Sequence, residues 1–214
     1  MYTIMVLVGV RGSGKTTVIG NIRNSRGIVV LQPSTTRCPR SDEINEYDFV
    51  DRSLWNESDF AWTINVSNEL YGMKLSHLLS VPKGDVGLTV FHPEKLQTLE
   101  EFRHREDIEF ITIGLDTVES FEEQVRRIND DAQRNEGEQA FIDQHKIVKN
   151  CDVVLSGSSD VVQEAVKQIA ILLCSRGVLH GEAIKALISA SSLLKSATLE
   201  NIQPASYDLR LGDT

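Results

Sequence analysis

The chain has 214 residues, of which 41% are hydrophobic and 25% charged, so one full α/β domain with an ordinary core plus a short extension is the expected scale. A formal net charge of −9 argues against general binding to nucleic acid or to anionic membranes, although a local basic groove is compatible with it. The cysteines Cys38, Cys151 and Cys174 stand far apart without a C-x-x-C pair, which argues against zinc and against a disulfide framework.

The first apolar run, Ile4 to Val8, reads as a buried β-strand. It leads straight into Gly9-Val10-Arg11-Gly12-Ser13-Gly14-Lys15-Thr16-Thr17, and Val18 to Arg23 then reads as the first helix. The spacing satisfies G-x-x-x-x-G-K-[ST], the phosphate-binding P-loop. Its glycines let the backbone curl so that successive N–H groups face a polyphosphate, and the helix opening adds a positive dipole end. In this reading Gly9 to Thr17 bind the phosphates of a nucleoside triphosphate. Lys15 reaches the β- and γ-phosphates, and the Thr16 hydroxyl is a ligand of Mg²⁺. The motif identifies a donor site and leaves the acceptor open.

Gly27 to Gln32 is a second β-branched run, expected to be a parallel strand. From Pro33 to about Tyr71 the chain turns polar and loses a clear period, which is too long for a simple connection and reads as a functional insertion. Within it, Tyr47 to Val50 and Ala61 to Val66 alternate as short strands do. Gly72 to Ser80 is expected to be a helix, ended by Pro82 and Gly84. Val86 to Phe91 is a core strand, Pro93 to Arg105 a helix, Ile108 to Leu115 a buried strand, and Ser120 to Ile128 a charged helix. Asn129 to Gln139 is polar and expected to be mobile. Cys151 to Leu155 is the last strand, and Ser158 to Leu173 an amphipathic helix closing the sheet. Strands alternating with helices imply a parallel sheet with right-handed crossovers. No run is long enough to span a bilayer, and the first strand follows the N-terminus directly. No signal peptide is therefore expected, and a cytoplasmic home is the default.

A second group of residues lies in the insertion: Ser34-Thr35-Thr36-Arg37-Cys38-Pro39-Arg40, then Glu43 and Tyr47-Asp48-Phe49-Val50. Two arginines three residues apart among hydroxyls suit a second anion, because a planar guanidinium bonds two phosphate oxygens at once. A solvated basic loop is the plainer alternative. With the P-loop and Tyr71-Gly72, these residues resemble the guanylate kinase family over roughly residues 1 to 173. The resemblance implies a P-loop α/β fold with a parallel sheet flanked by helices, over a domain of residues 1 to 175. It implies ATP and Mg²⁺ as cofactors and phosphoryl transfer to a nucleoside monophosphate. It also implies that Arg37, Arg40, Tyr47 and Tyr71, with Ser34 in place of the family's serine one position earlier, hold the acceptor phosphate. A lid would bring catalytic arginines over the transferring phosphate beside Lys15; Arg126, Arg127 and Arg134 are the candidates, each of which also reads as an ordinary solvated charge.

The chain departs from that family where guanine would be read. Trp62 stands where the family has a glutamate, Met73 follows Tyr71-Gly72 in place of a hydroxyl residue, and Val90-Phe91-His92-Pro93 replaces acidic residues after the central strand. A site built on hydrogen bonds to a base discriminates strongly, so their loss points to an acceptor other than GMP. Trp62 reads either as a platform for a different base or as a packed core residue. A related kinase of ribosyl bisphosphate competes for the same motifs, as does a non-catalytic nucleotide-binding module that regulates an attached enzyme.

A break falls near Ser175-Arg176-Gly177, followed by an expected helix at Glu182 to Ser192. The motif Pro204-Ala205-Ser206-Tyr207-Asp208-Leu209-Arg210-Leu211-Gly212 resembles the N-terminal edge of dCTP deaminase, of the dUTPase-like β fold. Residues 176 to 214 would then be a truncated deaminase-like segment without deaminase activity, and a possible route to an oligomer. Its presence also hints at a deoxynucleotide acceptor.

Overall fold

A computed structural model describes residues 2–39, 47–66, 68–103, 108–128 and 136–175, together with the backbone of 202–203 and 206–207. The first strand, β1 (Tyr2–Val8), ends in five consecutive buried residues, as a strand covered on both faces must. It runs into α1 (Lys15–Ile22) and then β2 (Ile28–Val30). The insertion contributes β3 (Ser34–Thr35), β4 (Asp48–Phe49), β5 (Phe60–Val66) and β6 (Glu69–Lys74), followed by α2 (Leu75–Leu79). The main sheet resumes with β7 (Val86–Phe91), α3 (Leu96–Arg103), β8 (Ile108–Asp116), α4 (Phe121–Arg127), α5 (Glu138–Val148), β9 (Val153–Ser156) and α6 (Ser159–Ser175).

The main sheet is parallel throughout, in the order β2-β7-β1-β8-β9. Its central strand sorts its side chains by the two-residue period. Met5 and Leu7 meet Val18 and Ile22 of α1 and Val162, Val166 and Ile169 of α6 in one core. Ile4, Val6 and Val8 belong to a second core on the opposite face, with Leu78, Leu99, Phe102 and Val148. Asp152 fastens the edge: its carboxylate accepts from the Thr112 amide and hydroxyl, both at 2.7 Å, where β9 joins β8. Gly114 lies where α5 ends against β8, and a Cβ there would collide with the Val148 carbonyl oxygen.

The insertion folds into a separate four-stranded sheet, β4-β3-β6-β5, in which β3 and β4 are parallel and the other pairs antiparallel. Two expectations change. Gly72 to Lys74 form strand, because Gly72 pairs with both Ser34 and Thr63, and the helix is confined to Leu75–Leu79. The polar stretch gives way at Glu138 to α5, which the sequence reading passed over; its buried face is Phe141, Gln144 and Val148. Of the C-terminal segment, Ile202–Gln203 pairs antiparallel with Ser206–Tyr207. The helix expected at 182 to 192 and the deaminase-like domain otherwise lie outside the described residues. No helix among those described is long and apolar enough to cross a membrane.

Candidate active site

The chain leaves β1 at the switch point of the parallel sheet, where β7 and β8 flank it on opposite sides and a cleft opens at the strands' carboxyl ends. Gly12 and Gly14 take φ values of 76° and 88°, a left-handed region that a side chain would strain. Gly9 needs to lack a Cβ for another reason: one would collide with the Ser13 hydroxyl oxygen. The curl closes with the Ser13 amide donating to the Val10 carbonyl at 3.2 Å, and α1 starts at Lys15 with the Val18 amide on the Gly14 carbonyl at 3.0 Å.

Lys15 folds back over the loop. Its Nζ donates to the carbonyls of Gly9 at 2.7 Å and Val10 at 2.9 Å, and to Ser13 Oγ at 3.3 Å. Burial pushes its pKa down to about 8; the Arg11 charge pushes the same way, and Glu136 opposes both. The loop is braced from α4 and the turn before it. Thr117 Oγ1 donates to the Ser13 carbonyl at 2.9 Å, Gln124 Nε2 to the Arg11 carbonyl at 3.3 Å, and Arg127 Nη1 to the Gly12 carbonyl at 3.4 Å.

Opposite the loop, hydroxyls fix the end of β3. Thr35 Oγ1 donates to the Leu70 carbonyl at 3.0 Å and accepts from the Arg37 amide at 3.2 Å, while Thr36 Oγ1 donates to Glu69 Oε2 at 2.7 Å. This places the Arg37 guanidinium 5.4 Å from the centre of the Tyr47 ring and 5.6 Å from that of Phe49, with Nη1 on the Cys38 carbonyl at 2.8 Å. Tyr47 meets Tyr71 edge-on, with ring centres 5.8 Å apart.

One cavity of about 420 Å³ joins the two halves. It is lined by Gly9, Arg11, Gly12, Lys15 and Thr16 of the loop, by Arg37, Tyr47 and Tyr71, and by Arg127. Val10, Ser13, Gly14 and Thr17 are not in its wall. Ser34 is not either: it is fully buried, and its hydroxyl donates to Asp48 at 3.0 Å, a carboxylate that also holds Lys74 at 2.7 Å. The adjacent Pro33 takes the lining position instead. Arg126 is exposed on α4, outside the cavity wall. Arg40, Glu43 and Arg134 lie outside the described residues.

Trp62 is 7% exposed and packs edge-on to Phe91, Phe102 and Phe110 at 5.6 to 6.0 Å, which favours the core reading. It nevertheless contributes to the cavity wall, together with its register partner Met73 and with Ile64, Val66, Val90 and Phe91. Beside Arg37 and the two tyrosines, the described residues of this wall form an apolar surface without a carboxylate.

Sequence reasoning missed a polar network beside the loop, whose His92 and Gln144 share the cavity wall with Arg11. The Arg11 guanidinium pairs with the Glu136 carboxylate. Glu136 Oε2 accepts from Gln144 Nε2 at 2.5 Å, and Gln144, buried on α5, also donates to Glu94 at 3.0 Å. His92 Nε2 stands 3.9 Å from Glu136 Oε1. His92 first, then Gln144 and Arg11, pull the Glu136 pKa down to about 2 against the opposing effect of burial. No local pattern joins residues so far apart in the chain; a charged residue at a variable P-loop position was the one available hint.

A Mg²⁺ ion carried by a nucleotide keeps several waters and takes few protein ligands. The exposed Thr16 hydroxyl on the cavity wall fits that role, and no acidic cluster among the described residues offers an alternative metal site.

No protein-family model and no curated protein matches the sequence. Among solved structures, a guanylate kinase from Anaplasma phagocytophilum is similar, at a TM-score of 0.58 and 24% identity, over 82% of this chain and 86% of that one. The likeness is one of fold: a parallel sheet flanked by helices is shared between the two chains.

Proposed function

We propose that the chain transfers the terminal phosphoryl group of ATP to a nucleoside monophosphate. The observation that carries this reading is a cavity whose wall includes both Lys15 and Thr16 of the P-loop and Arg37, Tyr47 and Tyr71. Lys15 leaves the loop carbonyls for the donor phosphates, and the loop amides cradle them. Thr16 would hold Mg²⁺, which when bound would offset the negative charge of the donor phosphates. Arg37 grips the acceptor phosphate with its planar fork, and the tyrosine hydroxyls supply further donors. The attacking oxygen belongs to a phosphate and is already anionic, so alignment and electrostatics carry the reaction and no general base is required.

The wall of Trp62, Ile64, Val66, Met73, Val90 and Phe91 supports a flat base as the acceptor's other end, in preference to a bare ribosyl bisphosphate. Among the described residues, that wall has no acidic side chain to accept from guanine, which supports a base other than guanine. The deaminase-like motif near the C-terminus is a reason to include deoxynucleotides among the candidates.

The test is ADP release with ATP and each common ribo- and deoxynucleoside monophosphate, with ribosyl bisphosphate alongside. Turnover with a monophosphate other than GMP is expected. Turnover with ribosyl bisphosphate alone would move the reading to that acceptor. ATP-dependent stabilisation without any turnover would make the chain a binding module.

A further inference from the structure

We propose that Arg11, held in place by Glu136, is the cation that stabilises the phosphoryl group in flight. The inference rests on the phosphotransferase reading above and deepens it. Charge in such a transfer spreads over the equatorial oxygens of the moving group, where a guanidinium is the best-matched partner. Among the described residues the arginines lining the cavity are Arg11, Arg37 and Arg127. Arg37 stands with the aromatic residues of the acceptor side. Arg127 is bound to Glu123 through Nε at 3.0 Å and Nη2 at 2.6 Å, and its Nη1 lies on the Gly12 carbonyl. Arg11 belongs to the loop itself, shares the cavity with Lys15, and is close enough to depress that lysine's pKa.

Its orientation is set by the polar network beside the loop. Glu136 pairs with Nη2 of Arg11, Gln144 holds Glu136, and Glu94 holds Gln144, so the guanidinium is tied to α5 and to the turn after β7. A long side chain braced in this way loses little freedom when the transferring phosphate arrives. In the step itself the bond from the γ-phosphorus to the ADP oxygen breaks and the bond to the acceptor phosphate oxygen forms. Arg11 keeps its protons throughout and exchanges none. Glu136 touches neither substrate and acts as a positioning residue through Arg11.

The experiment compares wild type, Arg11→Ala, Arg11→Lys, Glu136→Gln and Glu136→Asp in steady-state turnover with the preferred acceptor, with ATP affinity and melting temperature measured separately. Arg11→Ala is expected to lower kcat about 100-fold or more while ATP affinity changes by less than about threefold, and Arg11→Lys to restore only part. Glu136→Gln is expected to lower kcat roughly tenfold at unchanged KM for ATP, with partial rescue by Glu136→Asp. Turnover within about threefold of wild type in Arg11→Ala overturns the proposal. So does faster turnover or tighter ATP binding in Glu136→Gln, which would make that carboxylate a competitor of the donor phosphate. A general loss of melting temperature with parallel losses in kcat and affinity overturns it as well, in favour of a structural brace. An inactive wild type on every acceptor refutes the phosphotransferase reading instead, and this inference with it.

Discussion

The P-loop side and the Arg37 side of the cavity are built by different means. The P-loop hangs from the centre of a parallel sheet with cores on both faces, and its groups are held by backbone carbonyls and by braces from α4. The Arg37 side sits on a small sheet, where hydroxyls, an Asp48–Lys74 pair and aromatic edges do the fixing. The loop takes its shape from its own backbone, whereas the small sheet shares side chains with the main core, since Trp62 and Met73 are buried there with Ile4, Val6 and Val8. The difference teaches that the shape of the loop depends on main-chain geometry, and that of the small sheet on side-chain pairing.

The largest expected effect breaks the two halves apart. Trp62 belongs to the small sheet yet packs into the main core, so Trp62→Ala should destabilise the protein by about 3–5 kcal/mol in denaturant unfolding. An unfolding midpoint close to wild type would mean that the halves are independent. Next, Lys15→Ala should lower turnover about 10²–10³-fold in a protein that still melts cooperatively. Arg37→Ala should act on the acceptor alone, raising its KM by an amount equivalent to about 1.5–3 kcal/mol and leaving the KM for ATP in place. Equal changes for both substrates would erase the division. The smallest effect is a pH dependence. With its pKa near 8, Lys15 is charged below that pH and neutral above it, and a polyphosphate binds the charged form. ATP affinity should therefore be flat below pH 8 and fall above it, with proton uptake on binding that calorimetry in two buffers detects. Binding without proton uptake between pH 8 and 9 would mean that Lys15 does not meet the phosphates.

The sequence was most legible where physics acts locally. The apolar runs of the main sheet sit within a few residues of their expected limits, because strands buried on both faces leave an unbroken hydrophobic signature. The P-loop was readable from spacing alone. The small sheet is legible only in part: Gly72 to Lys74, the second half of β6, reads as helix because its strand state depends on pairing with Ser34 and Thr63, neither adjacent in sequence. Helix α5 escaped because Gln144 occupies its buried face, so the apolar period is broken where the network needs an amide. Ser34 was matched by type to a phosphate-binding serine, and its burial in β3 turns that hydroxyl to Asp48. Ion pairs such as Arg11 with Glu136 leave no periodic trace at all.

Gly114 connects these observations. It stands level with Val8, the last residue of β1, and leaves no room for even a methyl group beneath the end of α5. Alanine at this position would lever that helix outward, carrying Gln144 and its grip on Glu136 with it. A randomised library at codon 114 should return glycine alone among active clones, although the position touches neither nucleotide.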